Sequence, residues 1–252
     1  MDSPLKMSVI TACFNSEATI GEAIASLQRQ SWPAVEHVVI DGASNDMTVA
    51  IARDTLGQVD KLISEPDRGI YDALNKGITH ASGEVIGFLH SDDLYPHDDV
   101  LNQVASCFED PGVGAVYGDL EYVDSDDPDR VIRYWKSGSF SPGKLKRGWM
   151  PPHPTFFMRR TLYDELGGFD LAYRIAGDYD ALLRYLGSEQ VSVLYLPEVL
   201  VKMRVGGASN GNLKQILRKS KEDISAMRHH GINPLVALPY KNLSKIPQFF
   251  VR

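Results

Sequence analysis

Four times in the first 93 residues a short apolar run stops at polar residues and is followed by a helix-spaced segment. That alternation restricts the fold more than any other feature of the chain. Met7–Cys13 (MSVITAC), Glu36–Ile40 (EHVVI), Asp60–Ser64 (DKLIS) and the run from Gly83 through Leu89 read as strands, the last with no polar alternation, as in a buried parallel strand. Between them, Glu17–Gln30 carries Ile20, Ala23, Ile24 and Leu27 at helical spacing behind Ser16 as an expected N-cap. Met47–Leu56 predicts a second helix, and Ile70–Ala81 a third, with Ile70, Ala73, Leu74 and Ile78 on one face. Alternating strands and helices argue for an α/β fold with a parallel sheet and right-handed crossovers. Parallel strands all end on one edge, where ligands of open α/β sheets sit. Here the strand ends are Asn15, Asp41, Glu65 with Asp67, and Asp92 with Asp93. Phe14-Asn15-Ser16-Glu17 lacks a GxGxxG fingerprint, which argues against the usual dinucleotide fold.

Two adjacent carboxylates repel unless a positive group lies beside them. Asp92-Asp93 at a ligand-bearing edge therefore suits Mg²⁺ or Mn²⁺ holding a diphosphate, since such ions bind through one or two carboxylates plus substrate phosphates. A strand-terminating turn that caps the next helix is the plainer alternative. The net charge of −7 excludes nonspecific nucleic-acid binding. Cys13 and Cys107 have neither metal-ligand nor CxxC spacing, so a reducing compartment is expected. No secretory leader and no apolar run long enough to span a bilayer is read, which gives a cytoplasmic expectation.

The second half changes character. Pro96–Glu109 predicts a helix. Val113–Val123 and Arg130–Trp135 predict strands around the acidic turn Asp124–Asp129, read as solvated. Residues 138–150 look irregular. Thr155–Met158 predicts a short strand and Arg159–Leu166 a helix; Ala181–Leu186 is helical after Gly177-Asp178-Tyr179-Asp180. Val191–Tyr195 and Val199–Met203 read as two strands, and 204–211 as a glycine-rich loop. Leu213, Ile216, Leu217, Ile224 and Met227 then mark an amphipathic helix closed by Gly231.

The ordered set Thr11-x-x-Phe14-Asn15, Asp41-Gly42-x-Ser44-x-Asp46, Ser91-Asp92-Asp93 and Gly177-Asp178-Tyr179-Asp180 resembles the family 2 glycosyltransferases over roughly residues 7–210. Residues 65–72 (EPDRGIYD) and 206–209 (GGAS) resemble a branch acting on bacterial surface polysaccharides. The resemblance implies a GT-A fold, Rossmann-like, with a mostly parallel sheet and helices on both faces. Residues 7–93 would be the nucleotide-binding half of a 1–210 domain, 94–210 the acceptor-side half, and 211–252 a C-terminal extension. It further implies sugar transfer with inversion from a nucleoside-diphosphate sugar, UDP by default, to a glycan or polyprenyl-linked glycan.

The roles the resemblance implies fall on this sequence as follows. Thr11, Asn15 and Asp41 contact the nucleotide, Asp41 at the base, with Asp67 and Asp92 beside them. Asp93 is the metal ligand, in a motif whose first acid is here Ser91. Asp178 is the catalytic base, with Asp180 as the alternative because Gly177 stands where the family has Glu. His153, among three prolines, faces acceptor or diphosphate or is structural. Apart from the resemblance, Arg204 supplies charge and the Gly206-Gly207 loop mobility, which together suit closure over the diphosphate. Two other functions fit parts of the pattern. A sugar nucleotidyltransferase would want a Gly-rich basic loop after the first strand, which is missing. A nucleotide-sugar-binding module without catalysis is compatible with Gly177.

From Lys214 to Arg252, eight Lys/Arg face Glu222 and Asp223, a balance of +6 against −13 for the rest of the chain. Residues 234–252 mix Leu235, Val236, Leu238, Leu243, Ile246, Phe249 and Phe250 with Lys241, Lys245 and Arg252. Such a segment suits peripheral attachment to an anionic membrane surface on the inner face. It equally suits a helix packed on the domain or on a second subunit with its cations solvated.

Overall fold

The computed structural model describes residues 3–57, 60–205, 213–244 and 248, with 213 and 214 described by backbone alone. The Gly206-Gly207-Ala208-Ser209 motif, Lys245, Ile246, Phe249, Phe250 and Arg252 lie outside the described residues.

The first half runs β1 (Met7–Cys13), α1 (Ile20–Gln28), β2 (Val35–Asp41), α2 (Thr48–Thr55), β3 (Lys61–Ser64), α3 (Ile70–His80) and β4 (Val85–Phe88). β1 pairs in parallel with β2 and β4, and β2 with β3. All six strand residues Val85, Ile86, Phe88, Val9, Ile10 and Val38 are fully buried, as expected of strands covered on both faces. The second half adds β5 (Asp93–Leu94), α4 (Val100–Cys107), β6 (Ala115–Val123), β7 (Val131–Trp135), α5 (Pro142–Leu145), a 3₁₀ turn (His153–Thr155), β8 (Phe157–Arg159), α6 (Arg160–Leu166), α7 (Gly177–Gly187) and β9 (Val193–Arg204). Helices α8 (Leu213–His229) and α9 (Pro234–Leu243) follow. The strands form one sheet in the order β3-β2-β1-β4-β8-β6-β9-β5, with β7 hydrogen-bonded to β6. Pairing is parallel in the first half and mixed beyond β4, where β8 joins antiparallel. Gly87 is required at that junction: a Cβ there would sit 2.3 Å from the Phe157 ring.

Several expected boundaries move, each for a local reason. α1 begins at Ile20 rather than Glu17, and Thr19 rather than Ser16 precedes it. Residues 16 and 17 are tied instead to the α2 end, Ser16 N donating to Thr48 Oγ1 (2.7 Å) and Glu17 N to Asp46 Oδ2 (3.2 Å). α4 begins at Val100 rather than Pro96, because Gln30 and Ser31 take the carbonyls of His97 and Asp98. The two strands expected at 191–203 are one, β9. Register shifts against β6 around Asp119 absorb Pro197. α7 begins at Gly177, four residues before the expected start.

α8 and α9 lie on the domain. Ala226, Met227 and Ala237 are fully buried and Ile232 nearly so, in one core with α7, β6 and β8. In α9 Lys241 is buried rather than solvated, while Leu235, Val236, Tyr240 and Leu243 are exposed.

Away from the strand ends, the sheet encloses titratable groups that set its acid stability. His37 is buried, with Nε2 2.9 Å from Thr11 Oγ1, and burial lowers its pKa from 6.5 to about 4. Burial pushes Glu36 upward, but bonds from Lys61, Ser8 and Ser82 outweigh it and bring the group to about 2. A base with a lowered folded pKa contributes fully above its unfolded value and is lost as pH falls toward the folded one. Folding stability is therefore expected to fall as pH drops from 6.5 to 4, by about 3 kcal/mol from His37 alone at roughly 1.4 kcal/mol per pK step, and the melting temperature with it. Glu36 adds a further loss below pH 4.5. Thermal scans across this range check it; His37→Gln, which keeps a partner for Thr11, should flatten the upper part of the curve.

Candidate active site

The strand ends gather as the alternation predicts, and two neighbouring clusters result. The first lies where β1, β2 and β3 end. Asp41 accepts Ser44 N (3.0 Å) and Ser64 Oγ (2.6 Å) on Oδ2 and the Ser44 hydroxyl on Oδ1. Ser44 Oγ in turn accepts Asn15 N (2.8 Å), and Asn15 Oδ1 accepts Asn45 N (2.9 Å). Among the described residues only Asn15 and Ala43 hold a left-handed backbone without being glycine, with φ of 49° and 63°; both lie here, and strain of that kind clusters at binding sites. Asp67 closes this edge: a Cβ on Gly42 would lie 2.5 Å from its Oδ2, and its Oδ1 accepts Gly69 N (2.8 Å).

The second cluster lies beyond β4. Ser16 Oγ, 3.0 Å from Ser91 Oγ, joins it to the first. Asp93 is fully buried at the start of β5, and neither carboxylate oxygen has a hydrogen-bond partner among the described residues. Burial, and then the charge of Asp92, raise its pKa well above the ordinary range, with Arg204 opposing. Asp178 is half-buried in the first turn of α7. Its Oδ1 accepts Tyr179 N (2.8 Å) and lies 3.2 Å from the Tyr71 hydroxyl, whereas Oδ2 has no such partner among the described residues. Gly177 makes this possible, since any Cβ there would sit 2.7 Å from the Tyr71 ring. The charges of Asp93 and Asp178 both reach the Tyr122 hydroxyl, whose pKa rises first through burial and then through these two acids, against Arg133. His90 likewise feels Asp92 and Asp178, although burial dominates and lowers its pKa. Asp92, Asp93 and Asp178 therefore share one neighbourhood.

Four expected site residues have their polar atoms engaged within the fold. Thr11 is fully buried; its hydroxyl donates to Leu89 O (2.7 Å) and meets His37, so it ties β1 to its neighbours. Asp41 is also fully buried with both oxygens bonded, so it fixes the 41–44 turn from beneath. Asp180 points away from Asp178, 2.9 Å from His230 Nε2, because successive first-turn residues of a helix face different sides. Arg204 is buried and held by Glu22, by Asp92 O (3.0 Å) and by Ser125 O (3.2 Å), so it braces the Asp92-Asp93 turn. His153 is buried against Phe88 and Phe169, with its centroid 6.0 Å from that of His90 and its Nε2 unbonded. Burial, with His90 adding to it, lowers its pKa to about 3.

Sequence reasoning missed His90, Tyr71 and Tyr122. His90 directly precedes Ser91-Asp92-Asp93, a usable signal. Tyr71 lies inside the quoted 65–72 segment, but its role needed the contact with α7. Nothing in the strand pattern marked Tyr122.

The cation expected here can be tested against these residues. Among the described residues no group of three His, Cys, Asp or Glu side chains could hold a metal ion. A diphosphate-bound ion needs fewer protein ligands, and a buried carboxylate without a partner is stable as an anion only beside a cation. Asp93, with Asp92 next to it, fits that requirement.

Residues 8–169 match the family model of glycosyl transferase family 2. An uncharacterized glycosyltransferase of Mycobacterium tuberculosis is 34% identical over 187 residues, 73% of this chain and 70% of its own. A PGL/p-HBAD biosynthesis glycosyltransferase of Mycobacterium bovis is 30% identical over 215 residues, covering 83% and 81%. Among solved structures, the mannosyltransferase PcManGT from Pyrobaculum calidifontis, in complex with GDP-Man and Mn²⁺, aligns with a TM-score of 0.64 at 22% identity over 96% of this chain and 74% of that one. Glucosyl-3-phosphoglycerate synthase from Mycobacterium tuberculosis, in complex with Mn²⁺, UDP-glucose and phosphoglyceric acid, aligns at 0.65 and 19% identity over 91% and 81%. The sheet is the GT-A sheet of these enzymes, and the chain belongs to glycosyl transferase family 2.

Proposed function

We propose that this glycosyltransferase moves a sugar from a nucleoside-diphosphate sugar, UDP by preference, to a hydroxyl of a glycan or lipid-linked glycan, with inversion. The observation that carries the reading is the buried, unpartnered carboxylate of Asp93 at the strand-end edge; the charges of Asp93 and of a second acid, Asp178, both bear on Tyr122. Asn15 and Asp67 frame the nucleoside, on a turn that Asp41 holds. Asp93, with Asp92, would hold Mg²⁺ or Mn²⁺, which supplies Lewis-acid neutralisation of charge on the leaving diphosphate. Asp178 takes the proton of the acceptor hydroxyl through Oδ2 as that oxygen attacks the anomeric carbon, while Oδ1 stays fixed by Tyr179 N. One displacement without a covalent intermediate inverts the carbon. Relatives support the donor class: S. aureus TarS has been solved with UDP-GlcNAc, and the synthase above with UDP-glucose.

A thermal-shift panel of nucleoside diphosphates tests the donor and the ion together. UDP with Mn²⁺, near 100 times its Kd, should raise the melting temperature by roughly 5–10 °C, more than either alone. Asp93→Asn should abolish the metal-dependent part. A UDP shift indifferent to Mn²⁺ and to that substitution would remove the metal assignment.

A lipid-linked acceptor would suit attachment to an anionic membrane surface. No helix among the described residues is long and apolar enough to cross a membrane. Support comes from α9, whose Leu235 is 86% exposed and Leu243 61%, and from the exposed Ile216 and Leu217 on α8, all in the region carrying the +6 balance. Full-length protein should co-sediment with phosphatidylglycerol vesicles but not with phosphatidylcholine ones, and Leu235→Glu/Leu243→Glu should lose this. Equal sedimentation of both proteins would reject the membrane face.

A further inference from the structure

Helix α7 starts beside the proposed base, and its N-cap position supplies no side-chain cap. Ala176, its N-cap residue, has no side-chain oxygen, and Gly177 cannot carry a side chain against the Tyr71 ring. The three residues that lead into the helix, ending at its N-cap, have their backbone N–H groups held from 46 residues downstream. Glu222 Oε2 on α8 accepts Arg174 N (3.0 Å), Ile175 N (2.7 Å) and Ala176 N (3.0 Å). Its Oε1 accepts Arg218 Nε (3.0 Å). Burial raises the pKa of this carboxyl, but the bonds from Ile175, Ala176, Arg218 and Arg174 outweigh it, and the group lies below the ordinary carboxylate value.

The gripped segment runs straight into Asp178. It is also fixed from the opposite side, where the Tyr71 hydroxyl lies 2.7 Å from Ile175 O and 3.2 Å from Asp178 Oδ1. α8 is itself a firm support: Ala226 and Met227 are fully buried, and Asp223 is paired with Lys241 at 2.9 Å. Bonds from an ionised carboxylate to backbone N–H groups are stronger than neutral ones, and the N-terminal end of a helix favours such a charge.

We propose that Glu222 is the positioning residue for Asp178: from α8 it locks residues 174–176 and so sets where the Asp178 carboxylate faces the cleft. The inference rests on the reading of Asp178 as the base. It also gives the C-terminal helices a part in turnover that does not depend on any membrane contact. A displacement of about 1 Å at a reacting group can cost about 10²-fold.

Steady-state kinetics and UDP thermal shifts on the full chain test it, using Glu222→Ala, Glu222→Gln and Asp178→Asn. Glu222→Ala should lower kcat by about 10–100-fold while donor KM and the UDP shift stay within about twofold, the pattern of lost positioning rather than lost binding. Glu222→Gln keeps an acceptor oxygen for the three N–H groups and should recover kcat to within about fivefold. If Glu222→Ala does not fold, Glu222→Asp takes its place, since the shorter side chain cannot reach all three groups. Wild-type kcat in these truncated variants, a parallel loss of kcat and UDP affinity, or Glu222→Gln as slow as Glu222→Ala would each overturn the proposal. Full turnover by Asp178→Asn would instead remove the base assignment; an inactive Asp178→Asn beside a fully active Glu222→Ala would remove only the role of Glu222.

Discussion

Asp178→Asn is expected to lower kcat for sugar transfer by about 10²–10⁴-fold, the usual contribution of a positioned general base, and to leave donor KM and UDP affinity nearly unchanged. The substitution keeps the size of the side chain, and an amide oxygen in place of Oδ1 can still accept from Tyr179 N. What it removes is the oxygen that has no hydrogen-bond partner among the described residues and is available to a substrate hydroxyl. Because Asp92 and Asp93 remain, the nucleotide and ion should bind as before. A fall in kcat with binding intact marks an interaction made in the transition state. The competing idea of a binding module without catalysis makes the opposite forecast, that neither wild type nor variant turns over any donor. Asp180→Asn separates the two acids of the segment. Its carboxylate faces His230 and Arg184, so the expected consequence is a loss of stability without a selective loss of kcat.

What the sequence could disclose follows from the range of the forces involved. β1 was readable to the residue, because a buried parallel strand is a continuous apolar run bounded by polar residues. The acids at the ends of β2, β3 and β4 were readable because parallel topology alone carries them to one edge. Which way each side chain turns was not readable. Thr11 and Asp41 occupy strand-end positions that would serve a ligand equally well, yet Leu89, His37, Ser44 and Ser64 consume their polar atoms. Those partners lie 3 to 78 residues away, and only folding reveals them. The early start of α7 has the same origin. A glycine and an alanine give no N-terminal signal, and the carboxylate that holds the segment leading into the helix belongs to α8. Arg204 was legible as a cation near the diphosphate edge, but Glu22 on α1 fixes its direction.

The buried lysine of α9 leads to the largest expected change in stability. In sequence Lys241 reads as a solvated cation beside apolar residues. In the fold it is buried, 2.9 Å from the equally buried Asp223 and with its Nζ 3.3 Å from the centroid of the Tyr179 ring. Burial lowers the Lys241 pKa, and Asp223 opposes that shift. Removing one member of a buried pair leaves the other charge without a partner in a poor solvent, at a cost of about 3–5 kcal/mol. Lys241→Met should therefore lower the melting temperature by roughly 6–20 °C in a chain of this size. Replacing both charges by apolar groups of similar volume is often neutral, so Asp223→Leu/Lys241→Met should recover most of the loss, and a double-mutant cycle from urea titrations reads the coupling directly. A surface pair would give about 0–1 kcal/mol in the same cycle. The size of the coupling thus reports whether α9 is docked with its lysine inward and its leucines outward. If Lys241→Met melts with the wild type, Lys241 is solvated, and the outward apolar face on which membrane attachment depends is absent as well.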